Sequence, residues 1–212
     1  MTTQLKLYNR ALHLCGETAL SSTSEERESR RLLDAVWDDN GVDYCLTAGQ
    51  WNFATRTIQI DYDSGITIEF GYRYAFAKPS DYLSLIALSA DEYFNTPLNQ
   101  YNDEQDYWYA DEQILYVKYV SNGASYGGDL TAWPAWFTDY VAAYFASKIV
   151  KKLTSDEGLR QSVKDELRRA EFEAKNRDMQ NSPARFLPQG SWTSSRQGRS
   201  RRDRGNRGSL IG

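Results

Sequence analysis

Apolar side chains recur at spacings of three and four over residues 4–15, where Leu5, Tyr8, Leu12 and Cys15 share one side. The spacing predicts a short amphipathic helix, ended by Gly16 in a left-handed conformation. Thr23 followed three residues later by Glu26 reads as a capping box. It opens a long second helix whose Leu33, Val36, Trp37, Asn40 and Tyr44 line one face as far as Gly49. Gly41, inside that run, points to a kink or a close helix contact.

From residue 57 the period falls from 3.6 to 2. Ile58, Ile60 and Tyr62 alternate with polar positions, and Ile66, Ile68, Phe70, Tyr72, Tyr74 and Phe76 continue opposite Thr67, Glu69 and Arg73. Two strands paired through Asp63-Ser64-Gly65 are predicted. After Lys78-Pro79-Ser80-Asp81, Tyr82 to Leu88 reads as a buried strand and Gln113 to Val120 as another. Residues 89–112, acidic and Tyr-rich without clear periodicity, read as a loop or short irregular elements.

Trp133-Pro134-Ala135 opens a third helix, with proline where its missing N–H costs nothing, and Phe137, Val141, Tyr144, Phe145, Lys148 and Ile149 form its stripe. Ser155 is placed to cap a fourth, with Leu159, Val163, Leu167, Ala170 and Ala174 on a narrow apolar stripe. Asp165 with Arg169, Glu171 with Lys175 and Glu173 with Arg177 sit at i,i+4, and Asn181-Ser182-Pro183 stops the helix. The expectation is an α+β chain: an antiparallel bundle of about four helices with an inserted antiparallel β subdomain and an extended C-terminal tail. Its parts are helices 1 and 2 over 1–56, the β subdomain over 57–130, helices 3 and 4 over 131–180 and the tail over 181–212.

The formal charge of −4 conceals a division. Residues 1–180 hold 18 Lys and Arg against 28 Asp and Glu, a net −10, whereas residues 181–212 hold 7 Arg against Asp203, a net +6. That last stretch has Gly, Ser and two prolines but few aliphatics, too little apolar surface to fold alone. A basic arm of this kind neutralises nucleic-acid phosphates or, through bidentate Arg–carboxylate bonds and the anchors Phe186, Leu187 and Trp192, holds a protein partner. Residues 61–139 are the opposite, with 13 acids against Arg73, Lys78 and Lys118. They read as a solvated acidic face or an interaction surface.

Chemistry-bearing patterns are few. His13 is the only histidine and reads as a surface or boundary residue. Cys15 and Cys45 cannot supply a tetrahedral zinc site and read as reduced core thiols. No nucleophile elbow, Walker loop, dinucleotide fingerprint or His-Glu-x-x-His occurs, and Gly123-Ala124-Ser125-Tyr126-Gly127-Gly128, without a following Gly-Lys-Ser/Thr, reads as a flexible connection. No cofactor or metal is expected. Carboxylate pairs about 5–10 Å apart, the requirement of glycoside hydrolysis, occur by chance among so many acids. No run of 18 apolar residues occurs and Met1-Thr2-Thr3-Gln4-Leu5-Lys6 lacks the form of a secretory signal, so no membrane span or export is expected.

Four stretches in order carry a family resemblance: Leu7-Tyr8-Asn9-Arg10-Ala11-Leu12-His13-Leu14-Cys15-Gly16-Glu17; Glu28-Ser29-Arg30-Arg31-Leu32-Leu33-Asp34; Trp51-Asn52-Phe53-Ala54; and Tyr74-Ala75-Phe76-Ala77-Lys78-Pro79-Ser80-Asp81-Tyr82-Leu83. With the helix pair at 136–178, they resemble the tail tubular protein A family of short-tailed bacteriophages over roughly residues 4–180. The resemblance implies a structural virion protein and no enzyme. Such a protein is made in the host cytoplasm and forms a twelve-subunit ring that joins the portal protein to the tail nozzle protein. It also implies a helical bundle with a β insertion, and a C-terminal arm able to dock on the portal.

On that reading, Arg185, Phe186, Leu187, Trp192, Arg196, Arg199, Arg201, Arg202 and Arg204 are candidates for the portal contact. Trp133, Trp136 and Tyr140, crowded at the start of the third helix, are candidates for the contact between ring subunits. A ring subunit buries surface on two different sides, which suits 29 aromatics in 24.3 kDa. An acid-rich body suits a conduit through which DNA passes without being held, the β subdomain or second helix lining or bordering the channel. Two alternatives stand beside it: a nucleic-acid-binding module acting through the Arg-rich tail, and a carboxylate-dependent glycan hydrolase.

Overall fold

The computed structural model describes residues 2–95 and 97–181. Helix α1 spans Gln4–Leu14. Thr3 caps it by accepting from the Lys6 N–H, and Gly16, at φ +73°, closes it as expected. The Gly16 and Glu17 N–H groups donate to the carbonyls of His13 and Leu12, a Schellman motif.

The expected long second helix is two helices, α2 (Glu28–Asp38) and α3 (Gly41–Thr47). Asn40 breaks it by adopting the left-handed conformation at φ 56°. Gly41 makes the turn possible, since a Cβ there would lie 2.6 Å from the Val36 carbonyl oxygen and 3.3 Å from the Phe145 ring. Nor does the capping box form: α2 starts at Glu28 without a side-chain cap, while Glu25 accepts from the N–H and hydroxyl of Ser21 (both 2.8 Å).

A single 3₁₀ turn, Asn52–Ala54, leads into strand β1 (Thr55–Asp61). The remaining strands are β2 (Tyr74–Ala77), β3 (Tyr82–Ser89), β4 (Asn102–Asp103), β5 (Tyr107–Ala110) and β6 (Ile114–Ser121). They form two antiparallel sheets, ordered β1-β6-β3 and β2-β5-β4. The expected hairpin through Asp63-Ser64-Gly65 is therefore absent. β1 pairs with β6, Ile58 opposite Val117 and Ile60 opposite Leu115, and β2 pairs with β5, Phe76 opposite Trp108. Residues 66–73 form no strand, whereas the stretch read as irregular supplies β4 and β5.

Strand β6 explains the choice. Leu115, Val117 and Tyr119 on one face join Phe76, Leu88, Trp108 and Ala110 in a core between the sheets. Val120, on the other, joins the helical core together with Leu83 and Ile86. The central strand β6 is thus buried on both faces, helices on one side and second sheet on the other, and β1 gains more apolar contact from it than a local hairpin would provide.

Helix α4 (Ala135–Leu153) starts immediately after Pro134 and buries eleven residues, among them the expected Phe137, Val141, Tyr144, Phe145 and Ile149. Helix α5 (Glu157–Asn181) buries Val163, Ala170 and Ala174. Its cap is Asp156, whose Oδ1 accepts from the Gly158 N–H at 2.8 Å, and not Ser155. Glu171 pairs with Lys175 at 2.5 Å as expected; Asp165 pairs with Arg168 and Glu166 with Arg169 in place of the expected Asp165–Arg169 pair.

The architecture among the described residues is α+β with five helices and two three-stranded antiparallel sheets, and not a four-helix bundle with an inserted β subdomain. The glycine-containing stretch before α4 is also no flexible connection. Tyr126 and Gly128 N–H groups donate to the Gly123 carbonyl, Gly127 N–H to that of Ser121, and the Trp133 indole to that of Gly127.

The fit at the α2–α3 break yields a test. Gly41→Ala places a methyl group against the Val36 carbonyl, and should lower stability by about 1–3 kcal/mol despite alanine's better helix propensity. A fall in the denaturant midpoint with an unchanged slope is the expected reading.

Candidate interaction surfaces

The candidate portal contacts Arg185, Phe186, Leu187, Trp192, Arg196, Arg199, Arg201, Arg202 and Arg204 lie outside the described residues. The candidate subunit contacts do not. Trp133 (5% exposed) and Tyr140 (2%) are buried in the chain's own helical core. The Phe137 ring meets Trp133 at 5.0 Å, Trp51 at 5.1 Å and Phe53 at 4.8 Å between centroids. Trp136 is half-buried against Trp51 and Phe53, and is the one of the three that leaves appreciable surface outside.

Aromatic surface does reach solvent elsewhere. Phe70, Tyr93, Phe172 and Tyr44 are all more than half exposed, as is Met179. Phe172 and Met179 lie seven residues apart on α5, two turns along one face. Tyr44 stacks on Tyr144 with centroids 4.8 Å apart, and the Lys148 ammonium lies 5.0 Å from the Tyr144 ring, so this exposed ring also ties α3 to α4.

Two open grooves flank the start of α4. One, of about 620 Å³, is lined by Lys6, Asn9, Arg10 and His13 of α1 together with Ala135 and Thr138. His13 is exposed there, as the sequence indicated. The other, of about 330 Å³, brings Asp139, Glu166 and Glu173 together with Arg169 and Arg177. Burial pushes the Asp139 carboxyl above its ordinary value, Arg10 opposes that, and Glu166 and Glu173 reinforce it. Asp139 is held by Arg10 at 2.8 Å and Glu166 by Arg169 at 2.5 Å. Both members of the Arg10–Asp139 pair are about half exposed, so the pair positions α1 on α4 and adds at most about 1 kcal/mol.

Three polar joints escaped the sequence reading. Tyr8 donates its hydroxyl to Asp34 (2.9 Å), which also accepts from Arg30, linking α1 to α2. Asp178 near the end of α5 accepts from the backbone N–H and side-chain amide of Asn52, at 3.0 and 3.1 Å. Burial holds its carboxyl above the ordinary value even so, while the Asn52 bonds pull it down.

The third joint is Asp81, just before β3. It accepts from Arg56 of β1 (2.8 Å) and from Tyr119 (3.0 Å) and Ser121 (2.5 Å) of β6. Burial works to raise its pKa, but the bonds from Ser121, Arg56 and Tyr119 prevail and hold it below the ordinary 3.8. The signals for these joints are single polar residues beside apolar runs, which periodicity does not weigh.

Among the described residues, no group of three or more His, Cys, Asp and Glu could hold a metal ion, and no helix is long and apolar enough to cross a membrane. Cys15 and Cys45 are both buried and unbridged, and burial lifts the Cys15 thiol to about 11. No protein-family model matches the chain, and no curated protein matches it in sequence.

Asp81 gives a pH-dependent test. A carboxyl depressed on folding stabilises fully above its unfolded value and loses that contribution as pH falls through the folded value. Asp81→Asn should therefore cost about 1.5–3 kcal/mol at pH 7, the range of hydrogen bonds to a charged group. In denaturant titrations repeated below pH 3.8, the gap between variant and wild type should narrow.

Proposed function

We propose that the chain is a structural virion protein, the head-to-tail adaptor of a short-tailed bacteriophage. On this reading copies form a ring that joins the portal to the tail nozzle and borders the DNA channel. The observation that carries it is the ordered set of four stretches resembling the tail tubular protein A family. Their polar side chains act within the architecture: Tyr8 holds Asp34, Asn9 exchanges two hydrogen bonds with the backbone of Leu20, Asn52 holds Asp178, and Asp81 ties the first sheet. The resemblance therefore falls on residues that determine shape, the property a ring component has to retain.

Charge supports the same reading. A body with a net −10 over residues 1–180 repels the phosphates of a passing duplex, and the seven arginines of 181–212 suit a carboxylate-bearing protein partner. With Trp133 and Tyr140 in the core, Trp136 and the exposed Tyr44, Phe70, Tyr93, Phe172 and Met179 are among the apolar surface on offer to neighbours.

Deletion of residues 182–212 is the test. The truncated chain should keep its helical and sheet content by circular dichroism and fail to attach to portal particles, as judged by co-sedimentation and electron microscopy. Undiminished attachment would refute the docking role of the arm. Salt-sensitive binding of duplex DNA by the full chain, lost in the truncated one, would favour nucleic-acid recognition instead.

A further inference from the structure

Residues 66–72 have the sequence of a strand and the structure of none. Ile66, Ile68, Phe70 and Tyr72 alternate with Thr67, Glu69 and Gly71, yet no strand runs through them. The segment is fixed at both ends, by the Ile66 N–H on the Asp63 carbonyl (3.4 Å) and the Arg73 N–H on the Asp111 carboxylate (3.1 Å). Between these points, no backbone N–H or C=O of residues 67–72 has a hydrogen-bond partner among the described residues. Phe70 is 87% exposed, the most exposed of the large apolar side chains among the described residues. The segment borders an open groove of about 360 Å³ with Asn102, Glu104 and Tyr109.

Residues 66–69 lie outside any helix, turn or bend, and the chain then bends at Phe70 and at Gly71, which sits at φ +92°. Such a run with free backbone groups and alternating apolar side chains is a template for an added strand. Charge decides what kind. Residues 61–112 hold eleven acids against Arg73 and Lys78, and Lys78 is engaged by Asp103 at 2.5 Å. Such a field repels nucleic acid and a second copy of the same face, and attracts a cation-bearing chain.

We propose that residues 66–70 are a docking strand for an extended, cationic segment of a second protein, in which β-branched or aromatic side chains alternate with Lys or Arg. Backbone pairing supplies the affinity and register. Ile68 and Phe70 take the apolar side chains, while Glu69 and Glu104 meet the basic ones. The inference concerns the folded body, so it stands or falls separately from the docking role given to residues 182–212.

Hydrogen exchange on the full chain tests it, with a nine-residue peptide of alternating Lys and Val as probe and its Glu–Val counterpart as control. Amides of 67–70 should exchange freely in the chain alone and slow by at least about tenfold with the Lys–Val peptide at low salt, less so as salt is raised. Ile68→Pro, which removes one donor and fixes one φ, should abolish that protection and leave the α4 and β6 amides as slow as in wild type. Four results would overturn the proposal: amides of 67–70 already slow in the chain alone, no slowing by the Lys–Val peptide, equal slowing by the Glu–Val peptide, or slowing that grows with the protein's own concentration and so identifies a second copy as the occupant.

Discussion

Helix α4 is apolar on nearly every side, and the fold is organised by the need to cover it. A helix with eleven buried residues cannot lie at a surface. Helices α1, α2, α3 and α5 all pack on it, with Trp51 and Phe53 closing over its first turns. The break at Asn40 and Gly41 follows from the same need. A straight helix from residue 28 to 47 would cover one line along α4, whereas two short helices meeting at a left-handed residue place both Trp37 and Tyr44 against it, at Phe145 and Tyr144.

The first sheet extends that logic outward. Its helical face completes the cover of the α4 core, and its opposite face needs a cover of its own, which the smaller sheet provides through Phe76 and Trp108. Asp81 sits where this second layer begins. Its bonds reach β1 and β6 at once, and the adjoining Asn122 donates to its backbone carbonyl and, through its side chain, to Asp43 of α3. A carboxylate with three charge-assisted or hydroxyl donors is costly to bury unless all are in place, so the joint fixes strand register as well as strength.

Much of this was legible in the sequence where pattern and burial coincide. Helix α1 with its Gly16 stop, α4 with Pro134 before it, β3 and β6 are all where periodicity put them, because each presents enough apolar residues to identify its period. The misreadings share a cause: strand pairing is decided by partners distant in sequence. Residues 58–76 alternate well enough for a hairpin, but Ile58 and Ile60 find Val117 and Leu115, which are more deeply buried than Ile68 and Phe70 across the Asp63 turn. Strand β5 was hidden because Trp108 and Ala110, fully buried, stand among five exposed acids between 103 and 112. Of the surface candidates, Trp133 and Tyr140 were read as contact residues from their crowding alone, and crowding marks a core and an interface equally.

That last point bears on what aromatic surplus means. Twenty-nine aromatics exceed what a body of this size needs for cohesion only if many remain outside. Of the five tryptophans among the described residues, Trp51, Trp108 and Trp133 are sealed in the two cores, and Trp37 and Trp136 are packed against the helical one. The outward rings are instead Phe and Tyr, spread over α3, α5, the loop at Tyr93 and the segment around Phe70. They lie on different elements, and among the described residues only α5 carries two such exposed apolar side chains, Phe172 and Met179. On the proposed adaptor reading, a subunit with such surfaces would be held by several modest contacts on different sides, which suits assembly around a template better than strong pairing of two free copies.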